Sequence, residues 1–241
     1  MRVAAVVRIV RDPAAMRWDR IEGRLDVEGA GFIMNPSDRA ALELAARLAD
    51  GRFVAIGCGE PAGVSILKEA AAFGASRLLY RSFEADGLVG AQTVLASAVS
   101  EERPDVVLAG QSAIDTNDRA LAGFLGDLLD GDSCGNVVDA NVASDGSLAV
   151  TLEDGSTRLL LLPAALGVFA IAARKISPLA MMKATRAAVT VTPAGPVSAR
   201  ATLRAVADGA PRRRRSTILD EGDPASGALA TIDLLRERRA L

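Results

Sequence analysis

The chain has 241 residues, with 28 Lys and Arg against 30 Asp and Glu and a formal charge of −2. That balance argues against a dedicated nucleic-acid binder, and the length suffices for one large domain with a substantial core. Histidine is absent, which removes Ser-His-Asp and Cys-His triads, His-ligated zinc and the usual general base near neutral pH.

Hydrophobic residues make up 50% of the chain, yet the aromatics are only six Phe, one Tyr and one Trp. The core is therefore expected to be built from Ala, Val and Leu, side chains small enough for helices to lie closely on a sheet. Cys58 and Cys134 are far apart and form no CxxC, so neither a disulfide framework nor a thiolate metal site is indicated, and a reducing compartment fits best. Arg2 and Arg8 interrupt the first apolar run, and the longest such stretch, Leu159 to Ile171, is too short for a bilayer. The expectation is a cytoplasmic protein without membrane insertion.

Val3 to Val10 is β-branched and alternates little, as a strand buried on both faces of a parallel sheet does. Asn35 reads as an N-cap and Pro36 as N1 of a helix whose apolar stripe is Ala40, Ala41, Leu44, Ala45 and Leu48. The long connection before it contains Arg24-Leu25-Asp26-Val27, an alternating segment that predicts a small hairpin, and connections of such length tend to be functional. The rhythm then repeats: strand Phe53 to Ile56, helix Ala62 to Phe73 ending at Gly74, strand Arg77 to Tyr80, helix Gly90 to Glu102, strand Val106 to Ala109, helix Arg119 to Leu129. Regular βα alternation predicts an α/β fold, a doubly wound parallel sheet with right-handed crossovers.

After Leu129 the pattern changes. Asn141 to Val142, Leu148 to Leu152 and Arg158 to Leu162 read as short strands separated by Asp145-Gly146 and Asp154-Gly155, both hairpin dipeptides, so an antiparallel patch is added. Residues 1–192 are taken as the α/β domain. Residues 193–241, rich in Pro, Gly and Arg and with one helical segment from Leu229 to Arg239, cannot make a core of their own and are expected to form a C-terminal arm lying on a partner subunit.

In such a sheet, ligands bind beyond the carboxyl ends of the strands near the switch in strand order. Arg8 to Pro13, Gly57-Cys58-Gly59 and Gly110 to Arg119 fall there. Gly57 and Gly59 either let backbone approach a ligand or make ordinary tight turns, and the helix after Arg119 offers free N–H groups to a phosphate. Cys58 reads as a buried strand-end residue before it reads as a redox thiol. The cluster Asp115, Asn117 and Asp118 reads as helix capping before it reads as a metal site. Arg212 to Arg215 has no interleaved aromatics and reads as a protein-facing surface.

Taken together, Met34-Asn35-Pro36, Gly57-Cys58-Gly59, Phe73-Gly74-Ala75-Ser76-Arg77, Pro104-Asp105-Val106-Val107-Leu108-Ala109-Gly110, Ala113-Ile114-Asp115 and Met182-Lys183-Ala184 resemble, in order and spacing, the β subunit of electron-transfer flavoproteins and its nitrogen-fixation-associated relatives. The resemblance covers essentially the whole chain, including Ala210-Pro211-Arg212. It implies the adenine-nucleotide α-hydrolase-like form of the fold. It also implies a heterodimer with an electron-transfer flavoprotein α subunit, FAD shared between the two, a dehydrogenase donor and a quinone reductase-type acceptor. The chain would then be a carrier rather than a catalyst of bond chemistry.

The resemblance further implies a buried AMP contacted by Val6, Asp12, Pro13, Cys58, Gly59, Asp115, Thr116 and Arg119. A docking loop, Ala172 to Ala180, would present Arg174, Lys175, Pro178, Leu179 and the adjoining Met182 to the dehydrogenase. Where the family has amide and hydroxyl donors after Ala-Ile-Asp, this chain has Arg119, Ala120 and Leu121, and Glu60 adds a carboxylate. These departures predict a weakened or altered AMP pocket. A PP-loop pyrophosphatase would need Ser-Gly-Gly-x-Asp-Ser where Arg8-Ile9-Val10-Arg11-Asp12-Pro13 stands. A nucleotide-sensing or structural module of the same fold is the alternative.

Overall fold

The computed structural model describes residues 1–27, 29–50, 52–83, 91–169 and 174–194. β1 (Val3–Arg11) is followed by the hairpin β2 (Arg17–Asp19) and β3 (Arg24–Asp26), then β4 (Phe32–Met34) and helix α1 (Pro36–Leu48). β5 (Phe53–Gly59) leads through a 3₁₀ stretch, Pro61–Lys68, into the single turn α2 (Glu69–Ala72). β6 (Ala75–Ser82), α3 (Ala91–Glu102), β7 (Val106–Gly110) and α4 (Leu121–Leu128) continue the alternation. The remainder is β8 (Asp132–Val142), β9 (Leu148–Leu152), β10 (Thr157–Leu160), β11 (Ala164–Val168), α5 (Pro178–Ala184) and β12 (Thr190–Pro193).

The main sheet has the order β10-β9-β8-β11-β7-β1-β5-β6-β12, with β4 added antiparallel to the end of β1. From β8 across to β12 all neighbours run parallel, while β9 and β10 extend it as an antiparallel meander. Residues 3–7 of β1 are buried on both faces. Ala5, Val7 and Ile9 pack with Ala41, Leu44 and Ala45 of α1 and with Leu67 and Ala70 on one side. Ala4 and Val6 pack with Leu95 and Ala98 of α3 and with Leu121 and Leu125 of α4 on the other. The Ala, Val and Leu composition is thus the composition of two close helix-on-sheet interfaces.

Several expectations are revised. The segment after β5 is 3₁₀ for most of its length, with Gly63 placed where a Cβ would lie 2.7 Å from Ile9 Cγ2. The fourth helix begins at Leu121 rather than Arg119, because residues 113–118 form a turn in which Asn117 takes a positive φ of 52° and its N–H reaches Ala113 O. β8 starts at Asp132 instead of Asn141 and changes partner at Val137, from β11 on its first half to β9 on its second. β11, hidden inside the apolar run 159–171, inserts between β7 and β8. The two hairpin glycines, Gly146 and Gly155, take φ of 85° and 81°, as their turns require. β12 carries through Pro193, and Ala194 N–H donates to Ser82 O, so the sheet runs past the expected boundary at 192. The rest of the anticipated arm, 195–241, lies outside the described residues.

Candidate functional site

Strand order reverses at β1, which has β5 on one side and β7 on the other. The crevice beyond the carboxyl ends of β1 and β7 is therefore the position where an open α/β sheet binds its ligand. Pro36 starts α1 close to this point, so Asp38 in its first turn meets the end of β1. Asp38 is fully buried, and its carboxylate accepts from Arg8 N–H at 2.6 Å, Arg8 Nη2 at 2.6 Å, Arg8 Nε at 3.2 Å, Gly110 N–H at 3.0 Å and Asn35 Nδ2 at 3.0 Å. Arg8 Nη2 also donates to the carbonyls of Gly110 and Ser112.

Asn35 was expected to cap α1 with its side chain. Instead it spans the crevice: Nδ2 donates to Asp38 and to Ser112 O, and Oδ1 accepts from Ile114 N–H. One polar cluster therefore ties β1, α1 and the loop after β7 together. Gly110 belongs to it for a steric reason, since a Cβ there would overlap Asp38 Oδ1 and the Ser37 backbone.

Arg8 is only 4% exposed. Burial works to lower its pKa, but the Asp38 carboxylate outweighs this and raises it, with further support from Cys58 and Asp118. Its Nη1 is buried and has no hydrogen-bond partner. Nε and Nη2 form the edge facing Asp38, and Nη1 is the guanidinium nitrogen left outside that pairing. A buried guanidinium N–H without an acceptor marks a place for a ligand or water acceptor. On that observation the cluster fits a nucleotide.

The residues expected around AMP are only partly gathered. Val6 is fully buried in the core and presents no side-chain surface to a ligand. Cys58 is buried as anticipated, and burial pushes its thiol up to about 12. Gly59 is accounted for by the protein itself, because a Cβ there would sit 2.7 Å from Ile9 O and Tyr80 Oη. Gly57 likewise abuts Leu67 and Tyr80. Asp12 and Pro13 form the turn after β1, where Asp12 Oδ1 accepts from Ala14 N–H. Asp115, Thr116 and Arg119 lie exposed on the loop after β7. There Asp115 accepts from Thr116 N–H and Asp118 from Ala120 N–H, bonds within the loop, and the expected helix cap is not made, since α4 has Ala120 at its N-cap and no side-chain cap. Glu60 does not face the crevice as a free carboxylate: it forms a bidentate pair with Arg11 at 2.9 and 2.8 Å. Arg11 in turn stacks over Phe32 and donates to Val27 O, pinning the long β1–α1 connection.

The expected docking segment is a helix in part. Ser177 Oγ accepts from Ala180 N–H and Pro178 opens α5, a cap and N1 pair whose signal is present in the sequence. Leu179 is 56% exposed, Met182 58% and Met181 37%, an apolar strip on a short helix held by Lys68 Nζ bonding to Thr185 O. Arg174 is engaged by Glu43 at 2.8 Å and braces the segment, whereas Lys175 is exposed. Residues 170–173 lie outside the described residues.

The doubly wound sheet with a polar cluster at its switch point defines an open α/β domain of the kind that binds ligands beyond its strand ends. Residues 24–197 match the family described as the electron transfer flavoprotein domain, and the chain belongs to that family, on its β-subunit side. Electron transfer flavoprotein subunit beta of Clostridium acetobutylicum is 33% identical over 121 residues, covering 48% of this chain and 47% of that protein. The protein of the same name from Thermoanaerobacterium thermosaccharolyticum is 28% identical over 162 residues, 64% of this chain and 62% of the relative. Protein FixA of Rhizobium meliloti is 31% identical over 126 residues, 48% and 43% of the two chains. In these comparisons the chain spans between about two fifths and three fifths of the relatives' own length. Among the described residues no helix is long and apolar enough to cross a membrane.

Proposed function

We propose that the chain is the β-type subunit of an FAD-containing heterodimer that carries electrons from a dehydrogenase to a quinone reductase or a similar acceptor. The observation that carries this reading is the match over residues 24–197, which includes the loops after β5 and β7 and helix α5. FAD, when bound between the subunits, supplies reversible electron uptake, and the protein's part is to bind, orient and shield it. This chain contributes a rigid sheet, a nucleotide crevice at Arg8, Asp38 and Asn35, and the exposed strip Leu179 and Met182 for the electron donor. The C-terminal arm expected over residues 193–241 is proposed to lie on the partner subunit. The AMP expected to be weakly held is assigned to the crevice, where the Arg11 pairing of Glu60 removes one source of repulsion.

The test is co-expression with an α-type partner. The chain purified alone is expected to be colourless, and the heterodimer to hold FAD near one per complex. Stoichiometric flavin on the isolated chain would overturn the shared site. A colourless complex with nucleotide-dependent stability would favour the sensing module instead.

A further inference from the structure

We propose that Glu43 is the positioning residue of the strip offered to the electron donor. Acting through Arg174, it fixes the segment that leads into α5, so that Leu179 and Met182 are held in one pose before a partner arrives. This deepens the carrier reading above and rests on it. α5 has seven residues, and a helix so short is marginal in water on its own. Leu179 and Met182 face outward, so what holds α5 must come largely from its flanks. After it, Lys68 Nζ donates to Thr185 O at 3.0 Å, and Ala184 is buried. Before it, Ile176 packs against the main core, and Arg174 Nε donates to Glu43 Oε2 at 2.8 Å.

Glu43 is singled out by its burial and its reach. One turn before and after it on α1, Arg39 and Arg47 are matched by Glu69 of α2 and Asp139 of β8. Glu43 instead meets a residue 131 positions further along the chain. Its side chain is 11% exposed and that of Arg174 50%, so the carboxylate end is fixed in the frame and the guanidinium end belongs to the segment. A carboxylate so buried needs a cation against it, which makes the grip firmer than that of a solvated pair. The same Oε2 lies 3.4 Å from the Arg174 backbone N, and Arg174 Nη2 reaches Phe73 O at 3.5 Å. The main chain is thereby aimed just before Ser177 caps α5. A partner that docks on an unfixed strip must first order it, and that cost is subtracted from affinity. The brace therefore acts on donor affinity and leaves electron uptake by the flavin alone.

The experiment uses the full-length chain in complex with the α-type partner, and as probe a dehydrogenase selected because it reduces the wild-type complex saturably. Glu43→Gln keeps the shape and one acceptor but removes the charge. It is expected to raise the KM for the dehydrogenase by about 10-fold, with the saturating rate and reduction by dithionite unchanged. Before any dehydrogenase is added, amide exchange should quicken at Met181 and Thr185, which donate to Ser177 O and Met181 O. A wild-type KM in Glu43→Gln, or a loss shared by the saturating rate and dithionite, overturns the role of Glu43 while the carrier reading stands. If no dehydrogenase reduces the wild-type complex, the carrier reading falls and this inference with it. Should Glu43→Gln fail to fold, two variants at the exposed end of the pair decide. Arg174→Ala should raise the KM and quicken exchange, and Arg174→Lys, which keeps a cation for Glu43, should restore most of both. With any of these variants, a raised KM without quicker exchange makes the residue a direct contact of the dehydrogenase and refutes the positioning role.

Discussion

Asp38→Asn is the most demanding test of the crevice as an electrostatic unit. Asp38 is fully buried and the Arg8 side chain nearly so, at 2.6 Å from each other. Neutralising the carboxylate leaves a guanidinium in the interior facing an amide that cannot balance its charge. Removing one partner of such a pair costs about 3–5 kcal/mol. For a chain of this size each kcal/mol moves the melting temperature by about 2–4 °C, so a fall of about 6–20 °C is expected. Far-UV circular dichroism during thermal and urea unfolding measures it. The loss should persist at high salt, because a buried pair is little screened. Arg8→Met combined with Asp38→Leu removes both charges and should recover part of the loss. Full recovery is not expected, because the N–H groups of Arg8 and Gly110 both donate to Asp38 and would be left unpaired. A loss below about 1 kcal/mol in the single variant would place the pair in solvent-like surroundings and refute the reasoning.

Leu179→Ala should slow reduction by the physiological dehydrogenase by about one to two decades, the value of burying one Leu on docking, and leave dithionite reduction unchanged; equal losses in both would mean that α5 supports the flavin. Burial pushes the Cys58 thiol up to about 12 from an ordinary 9.0, so it stays protonated in the native state where the unfolded thiol ionises. Its share of the stability is present below pH 9 and is lost as pH rises toward 12. Native protein at pH 8.5 should resist iodoacetamide at Cys58 until it unfolds, and rapid native alkylation would contradict the burial. Truncation after Ala194 keeps β12 paired with β6 and should leave a folded domain that no longer forms the heterodimer, whereas unchanged association on a sizing column would remove the arm from the interface.

What the sequence determined was local and periodic. The run Val3 to Val10 announces a strand covered on both faces, Pro36 a helix start, and Asp145-Gly146 and Asp154-Gly155 their turns, because each depends on neighbours a few residues away. The order of resemblance motifs from Met34 to Ala184 likewise needed no coordinates to indicate the family. Only the tertiary structure placed Arg8 at the centre. Its partners lie on α1 and on the loop after β7, 30 to 104 residues away in the chain, and an Arg at the end of an apolar strand carries no local sign of such a pairing. The same holds for Glu60, an expected source of repulsion until Arg11 is brought against it across 49 residues. The first half of β8 is illegible in the sequence because it is polar and gains strand geometry from β11 rather than from its own pattern, and β11 is illegible because an apolar run does not say where it breaks. Charge pairing and sheet insertion are long-range events, settled when the chain closes on itself, and the donor set of this crevice is their product.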